Sequence, residues 1–170
     1  MATRKHNRAD APTVVEEGLR AKGMYRIQIE ESGEIVGDSG WKENVVTNLG
    51  FNLYLVSGLG KIAGSGQIGY LALGTGTYPA SADTTLSGEI SQGTARQAVT
   101  SATSSTSKTV HFTGTFNSTN SFLGASSNIA NIGLFNTAST FGTLFSGNTY
   151  ASRAVATNQN VNCSYDITFS

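Results

Sequence analysis

At 170 residues, with one cysteine and a formal net charge of zero, the chain has the size of a single domain able to bury one good core. A lone cysteine excludes an internal disulfide framework. Neutrality removes the electrostatic footprint of a nucleic-acid binder, and no run approaches the roughly eighteen apolar residues of a membrane-spanning helix.

The charges are unevenly placed. From Asn44 to Ser170 there are four basic and three acidic residues, and the first 43 residues hold the other fifteen. Such low charge at zero net balance gives little colloidal protection, which points to an obligate assembly.

Residues 1–23 read as a polar arm with a small apolar knot at Val14-Val15. Left alone, such an arm frays; held by a neighbouring subunit, it is an assembly contact, with Arg4, Lys5, Arg8, Val14 and Val15 as the candidate contact residues. The basic cluster is followed at once by Asp10, Glu16 and Glu17, so it lacks the sustained positive excess that phosphate binding wants. No apolar stretch follows the basic start, so a secretory signal is not expected.

Residues 24–170 read as one β-domain. Tyr25, Ile27 and Ile29 alternate with polar residues, Glu31 to Glu34 supply a turn, and Ile35-Val36 begin the return of a hairpin. Gly37 to Gly40 interrupt it before Trp41, a core or rim anchor, and Val45-Val46. Thr47-Asn48 cap a short helix with Leu49, Leu53 and Val56 on one stripe, ended by Gly58 and Gly60.

Further strands are expected over 67–73, 96–103, 106–116, 129–135, 143–156 and about 160–169. The last of these has Val161, Cys163, Tyr165, Ile167 and Phe169 on its inward face. Short strands at regular spacing with turn signals between them indicate a mainly β fold: an antiparallel β-sandwich or jelly-roll-like domain with one short helix and an extended N-terminal arm.

Chemistry-bearing patterns are sparse. Gly64-Ser-Gly66-Gln-Ile-Gly69 matches the dinucleotide fingerprint but follows a helix and opens a strand, the reverse of what phosphate binding needs. His6 and His111 are the two histidines, too few with one cysteine for a structural zinc site. A Ser–His–Asp triad has only His111 with Asp83 or Asp166 to draw on, and no nucleophile elbow is present. Asp83 reads as a turn or cap residue, and Glu89 with Asp83 as a weak cation site or a glycosidase pair whose separation nothing in the sequence fixes. No catalytic residue, cofactor or metal site is therefore expected. Tyr78, beside Pro79, and Phe122 are loop aromatics available for an exposed contact, including a host-surface carbohydrate.

One set of segments resembles a known family. Ile68 to Glu89 carries a strand, Leu73-Gly-Thr-Gly76, a Pro/Ala loop, Asp83-Thr-Thr-Leu86 and a Glu. Ile132-Gly-Leu-Phe-Asn-Thr-Ala-Ser139, Gly142-Thr-Leu-Phe145 and the closing Asp166-Ile-Thr-Phe169 follow it, and Asn44 to Gly50 precede it. Together these resemble small tailed-bacteriophage virion proteins over about residues 40–170. The chain departs at Asn131, where many relatives have an acidic residue. The resemblance implies a non-enzymatic structural component of the particle, in the tail, neck or fibre apparatus or as decoration of the head. Its expected partners are itself, as a trimer or higher ring, and other virion proteins, with no membrane or nucleic acid.

Overall fold

The computed structural model describes residues 20–56, 67–91, 96–104 and 108–170. Ten strands run in chain order: β1 (Ala21–Glu31), β2 (Glu34–Asp38), β3 (Lys42–Val46), β4 (Tyr70–Gly74), β5 (Arg96–Ala98), β6 (Thr100–Ser104), β7 (Thr109–Phe116), β8 (Ser127–Phe135), β9 (Leu144–Val155) and β10 (Asn160–Phe169). One short helix, α1 (Asn48–Gly50), continues into wider π-helical turns over Phe51–Val56.

Every strand pairing among the described residues is antiparallel, in the order β5-β4-β8-β9-β3-β1-β10-β7-β6, with β2 added on β1. The two ends of this order are one piece of chain. β5 and β6 are separated only by Val99, whose N–H turns aside to donate to Gly69 O at 3.0 Å. The other corner is β3, whose first half pairs with β1 and whose second half pairs with β9. Two sheets bent into each other at these corners give a flattened, nearly closed barrel, with strands changing sheet at bends. β4, the β5–β6 strand and β7 are successive neighbours, and β8 returns beside β4, which is a Greek key.

The alternation predicted for the terminal strand holds from Val161 to Ile167, all buried. It stops one step short, because Phe169 is half-buried at the mouth of the sandwich, although it still packs against the core. On β1, Tyr25, Ile27 and Ile29 face the same interior. The outward row carries Lys22, Met24, Arg26, Gln28 and Glu30, opposite Thr168, Asp166, Ser164, Asn162 and Asn160 of β10. Cys163 is buried as expected, and burial pushes its thiol well above the usual range, so it is chemically quiet.

The hairpin turn uses Ser32 at φ 52° and Gly33 at φ 88°, the pair of left-handed residues that matches the twist of its strands. The predicted interruption after β2 is a repair as well as a break. Ser39 donates its N–H to Ile27 O, and its Oγ accepts from Ile27 N, each at 2.9 Å, so the ladder continues through a side chain. Trp41 stands at the rim with 43% of its surface exposed.

The β-domain begins earlier than the sequence suggests, since β1 begins at Ala21 and Arg20 already exchanges backbone hydrogen bonds with Ser170. The candidates Arg4, Lys5, Arg8, Val14 and Val15 lie outside the described residues.

The helix cap is as read: Thr47 Oγ1 accepts from Gly50 N at 2.9 Å and donates to Leu144 O at 2.7 Å. Of the stripe, Leu49 is instead 40% exposed, and Gly50 and Tyr54 are buried; the side chains of Leu53 and Val56 lie outside the described residues. A Cβ at Gly50 would stand 2.3 Å from Phe145 O, so the missing side chain is what lets the helix lie on β9. Gly58 and Gly60 lie outside the described residues.

Candidate functional site

The residues singled out for chemistry are mostly absorbed by structure. Asp83 closes a turn, with Oδ2 accepting from Ala80 N at 2.8 Å. Glu89 does not turn toward Asp83 but faces Arg96. His111 bonds through Nδ1 to Asp166 Oδ1 and lies beside the Trp41 ring, with centroids 6.4 Å apart, on the outer face of the β7–β10 pair. His111 is 42% exposed there. Gly64 and Gly66 lie outside the described residues, and Gly69 leads into β4, the strand-opening context read from the sequence. Among the described residues, no three His, Cys, Asp or Glu side chains are grouped to hold a metal ion, and no helix is long and apolar enough to cross a membrane.

Phe122 is corrected outright. It is 2% exposed and packs on Phe116 with ring centroids 5.6 Å apart. A short 3-10 turn over Ser118–Asn120, capped by the Asn117 side chain and ended by Ser121 at φ 51°, folds the crossover inward. Phe122 and Leu123 then plug one end of the sandwich. Tyr78 is 53% exposed, as expected of a loop contact, and its neighbour Pro79 is buried against Gly147.

The segments that carry the resemblance converge on one corner. Asn131, fully buried on β8, donates from Nδ2 to Ser87 O at 2.8 Å and to Thr77 O at 3.2 Å. Its side chain fits because β4 ends in Gly74, where a Cβ would stand 2.3 Å from Asn131 Oδ1. Glu89 bridges to Gly74, and Ile90 N donates to Leu73 O at 2.9 Å, fixing the loop back on β4.

Arg96 completes the corner. It binds Glu89 bidentately, lies 3.6 Å above the Phe135 ring centre, and donates to Thr137 O at 3.1 Å and Thr140 O at 3.4 Å. This arginine therefore holds the loop between β8 and β9 by its carbonyls. At the tip of that loop Phe141 is 96% exposed, the most exposed large apolar side chain among the described residues. The sequence pattern marked only Tyr78 and Phe122 as loop aromatics and did not single out Phe141. The available signal was its place among Ser139, Thr140 and Gly142, with no alternation on either side.

The sheet packing opens between β2 and β9. β3 pairs with β9 only at Val45–Val46, and beyond this point β9 diverges from β2. The gap is a cleft of about 310 Å³, floored by Ile27, Ile29 and Tyr150 and rimmed by Lys42 and Arg153. The outer edge of β2 and that of β9 past Gly147 pair with no strand among the described residues. The Arg153 side chain lies across the gap, its Nη1 2.9 Å from where a Cβ of Gly37 would stand. The Tyr150 hydroxyl is buried without a hydrogen-bond partner among the described residues, and burial pushes it well above the usual phenol range.

Compared with family models, curated proteins and solved structures, the chain matches none.

Proposed function

We propose that this protein is a non-enzymatic structural component of a tailed-bacteriophage virion. It is a self-associating β-domain docked to the particle through its N-terminal arm, in the tail, neck or fibre apparatus. The observation that carries this reading is the ordered set of segments from Ile68 to Glu89 and from Ile132 to Phe145 that resembles small virion proteins of such phages.

The physical setting supports it. Surfaces built for repeated packing are low in charge and leave apolar anchors outside. Here Ile35, Val36, Trp41, Leu49, Tyr78 and Phe141 are all exposed on a chain with zero net charge. Phe141 is displayed on a loop tied down by Arg96, and an anchor held in place in advance loses less entropy on docking.

A second reading, decoration of the capsid shell, rests on the same resemblance and differs in symmetry. The carbohydrate-binding alternative loses its aromatic pair, because Phe122 is buried and Tyr78 stands alone. Immunogold labelling of intact virions tests the proposal. Label at one vertex or on the tail is the expected result, label over the whole head favours the shell role, and particles without label overturn both.

A further inference from the structure

We propose that the β2–β9 cleft receives residues 13–17 of a second copy of this chain as an added strand. This rests on the reading of the arm as an assembly contact and names its receptor. The cleft offers two strand edges unpaired among the described residues and an apolar floor of Ile27, Ile29 and Tyr150. An extended segment laid along a sheet edge gains main-chain hydrogen bonds, with its alternate side chains filling pockets. Left open, the same edges are aggregation liabilities that proteins normally cover.

Charge selects the segment. Lys42 and Arg153 line the cleft, and neither has an ion-pair partner among the described residues, whereas Asp38, which also lines it, is already paired with Arg26. Residues 13–17 read Thr-Val-Val-Glu-Glu, two β-branched apolar residues followed by two carboxylates. Val14 or Val15 suits the floor, and Glu16 and Glu17 suit the cations. The basic cluster at Arg4, Lys5 and Arg8 does not.

Reach selects the second copy. Arg20 is pinned to Ser170 at the far end of β1. Val15 is five residues before Arg20, so it reaches at most about 18 Å from that point. Ile27 and Ile29 lie seven and nine residues along β1, at roughly 23 and 30 Å for a strand rise of about 3.3 Å per residue. A chain's own Val15 falls short of the Ile27–Ile29 floor, although the near end of the cleft at Lys42, opposite Tyr25, lies within its reach at about 17 Å. Seating a valine on that floor takes the segment of a second copy. A donated segment of this kind links copies head to tail and closes into a ring when the rotation permits.

The test uses full-length chains of two sizes, one carrying Val15→Cys and the other Ser152→Cys, mixed at micromolar concentration and mildly oxidised. Cys163 is buried and does not interfere. The expected product is a cross-link between the two sizes. It should fall at least tenfold when Lys42→Glu and Arg153→Glu are added to the receiving chain, and return when Glu16→Lys and Glu17→Lys are added to the donor. Circular dichroism and thermal melts on each variant separate lost binding from lost folding.

The proposal is overturned by folded variants that give no mixed cross-link, by a cross-link indifferent to the charge reversals, or by a doubly substituted chain that closes on itself at dilution. It also separates from the virion reading. Label on particles without the cross-link removes the strand exchange alone, and the cross-link without particle label removes the phage role alone.

Discussion

Arg96 grips Glu89 through two hydrogen bonds, Nε to Oε1 at 2.6 Å and Nη2 to Oε2 at 2.9 Å, with the arginine side chain wholly removed from solvent. The pair ties β5 to the loop after β4, and the remaining guanidinium donors hold the Phe141 loop. Removing one partner leaves the other as a buried, uncompensated charge, which costs about 3–5 kcal/mol. Arg96→Met should therefore lower the denaturant midpoint strongly, without a change in denaturant sensitivity if the folded state stays compact. Arg96→Lys should rescue little, since an ammonium cannot reproduce the bidentate grip or the stacking on Phe135. Near-normal stability of the lysine variant would contradict this account.

Asn131 donates to two carbonyls from a fully buried site. An ionised aspartate there can donate to neither and brings a charge against both oxygens. Asn131→Asp should cost at least about 3 kcal/mol at neutral pH. Protonation restores one donor, so the deficit should shrink as the pH is lowered. Thermal melts of both proteins between acid and neutral pH check the sign, and a deficit that grows in acid would refute it.

Tyr150 buries a hydroxyl that has no hydrogen-bond partner among the described residues. Tyr150→Phe removes a desolvated polar group and keeps the ring, so stability should rise by about 1 kcal/mol or stay level. A clear loss in chemical denaturation would mean that the hydroxyl is satisfied in solution.

Asp38 accepts from Arg26 Nε at 3.0 Å, and this contact, more than those with Gly40 N and Gln28, holds its carboxyl well below the usual carboxylate range. Its folded pKa is thus depressed. The stability it contributes is complete above the ordinary aspartate value near 3.9 and is lost as the pH falls through the lower folded value. Asp38→Asn should be less stable than the parent at neutral pH, and the two should converge in strong acid. Parallel curves across the acid limb would show that Asp38 makes no linked contribution.

Much of the fold was legible because a half-buried strand writes its geometry as alternation. Tyr25-Ile27-Ile29 and Val161 to Ile167 were readable residue by residue. The β-rich class and the Thr47 cap were equally open, since each depends on neighbours in the chain. What stayed hidden depends on distant contacts. Phe122 turned inward because Ser121 bends the crossover, and Leu49 turned outward because Gly50 could press on Phe145. The union of Glu89 with Arg96 and the divergence of β9 from β2 leave no local trace at all. Of the candidate interaction residues, Tyr78 was found from its loop, whereas Phe141 and the Lys42–Arg153 rim needed the third dimension.

The position of β1 in the sheet has a mechanical consequence. β1 lies between β10 on one side and β2 and β3 on the other, and pairs with β10 over ten consecutive positions from Ala21 to Glu30. Ladder hydrogen bonds run across the strands, so tension entering at Arg20 along the strand axis loads all of them together in shear. Tension applied between Arg20 and Ser170 opens the same ladder from its end, one pair after another. The domain loaded along β1 resists far more force than the same domain pulled apart at Arg20 and Ser170.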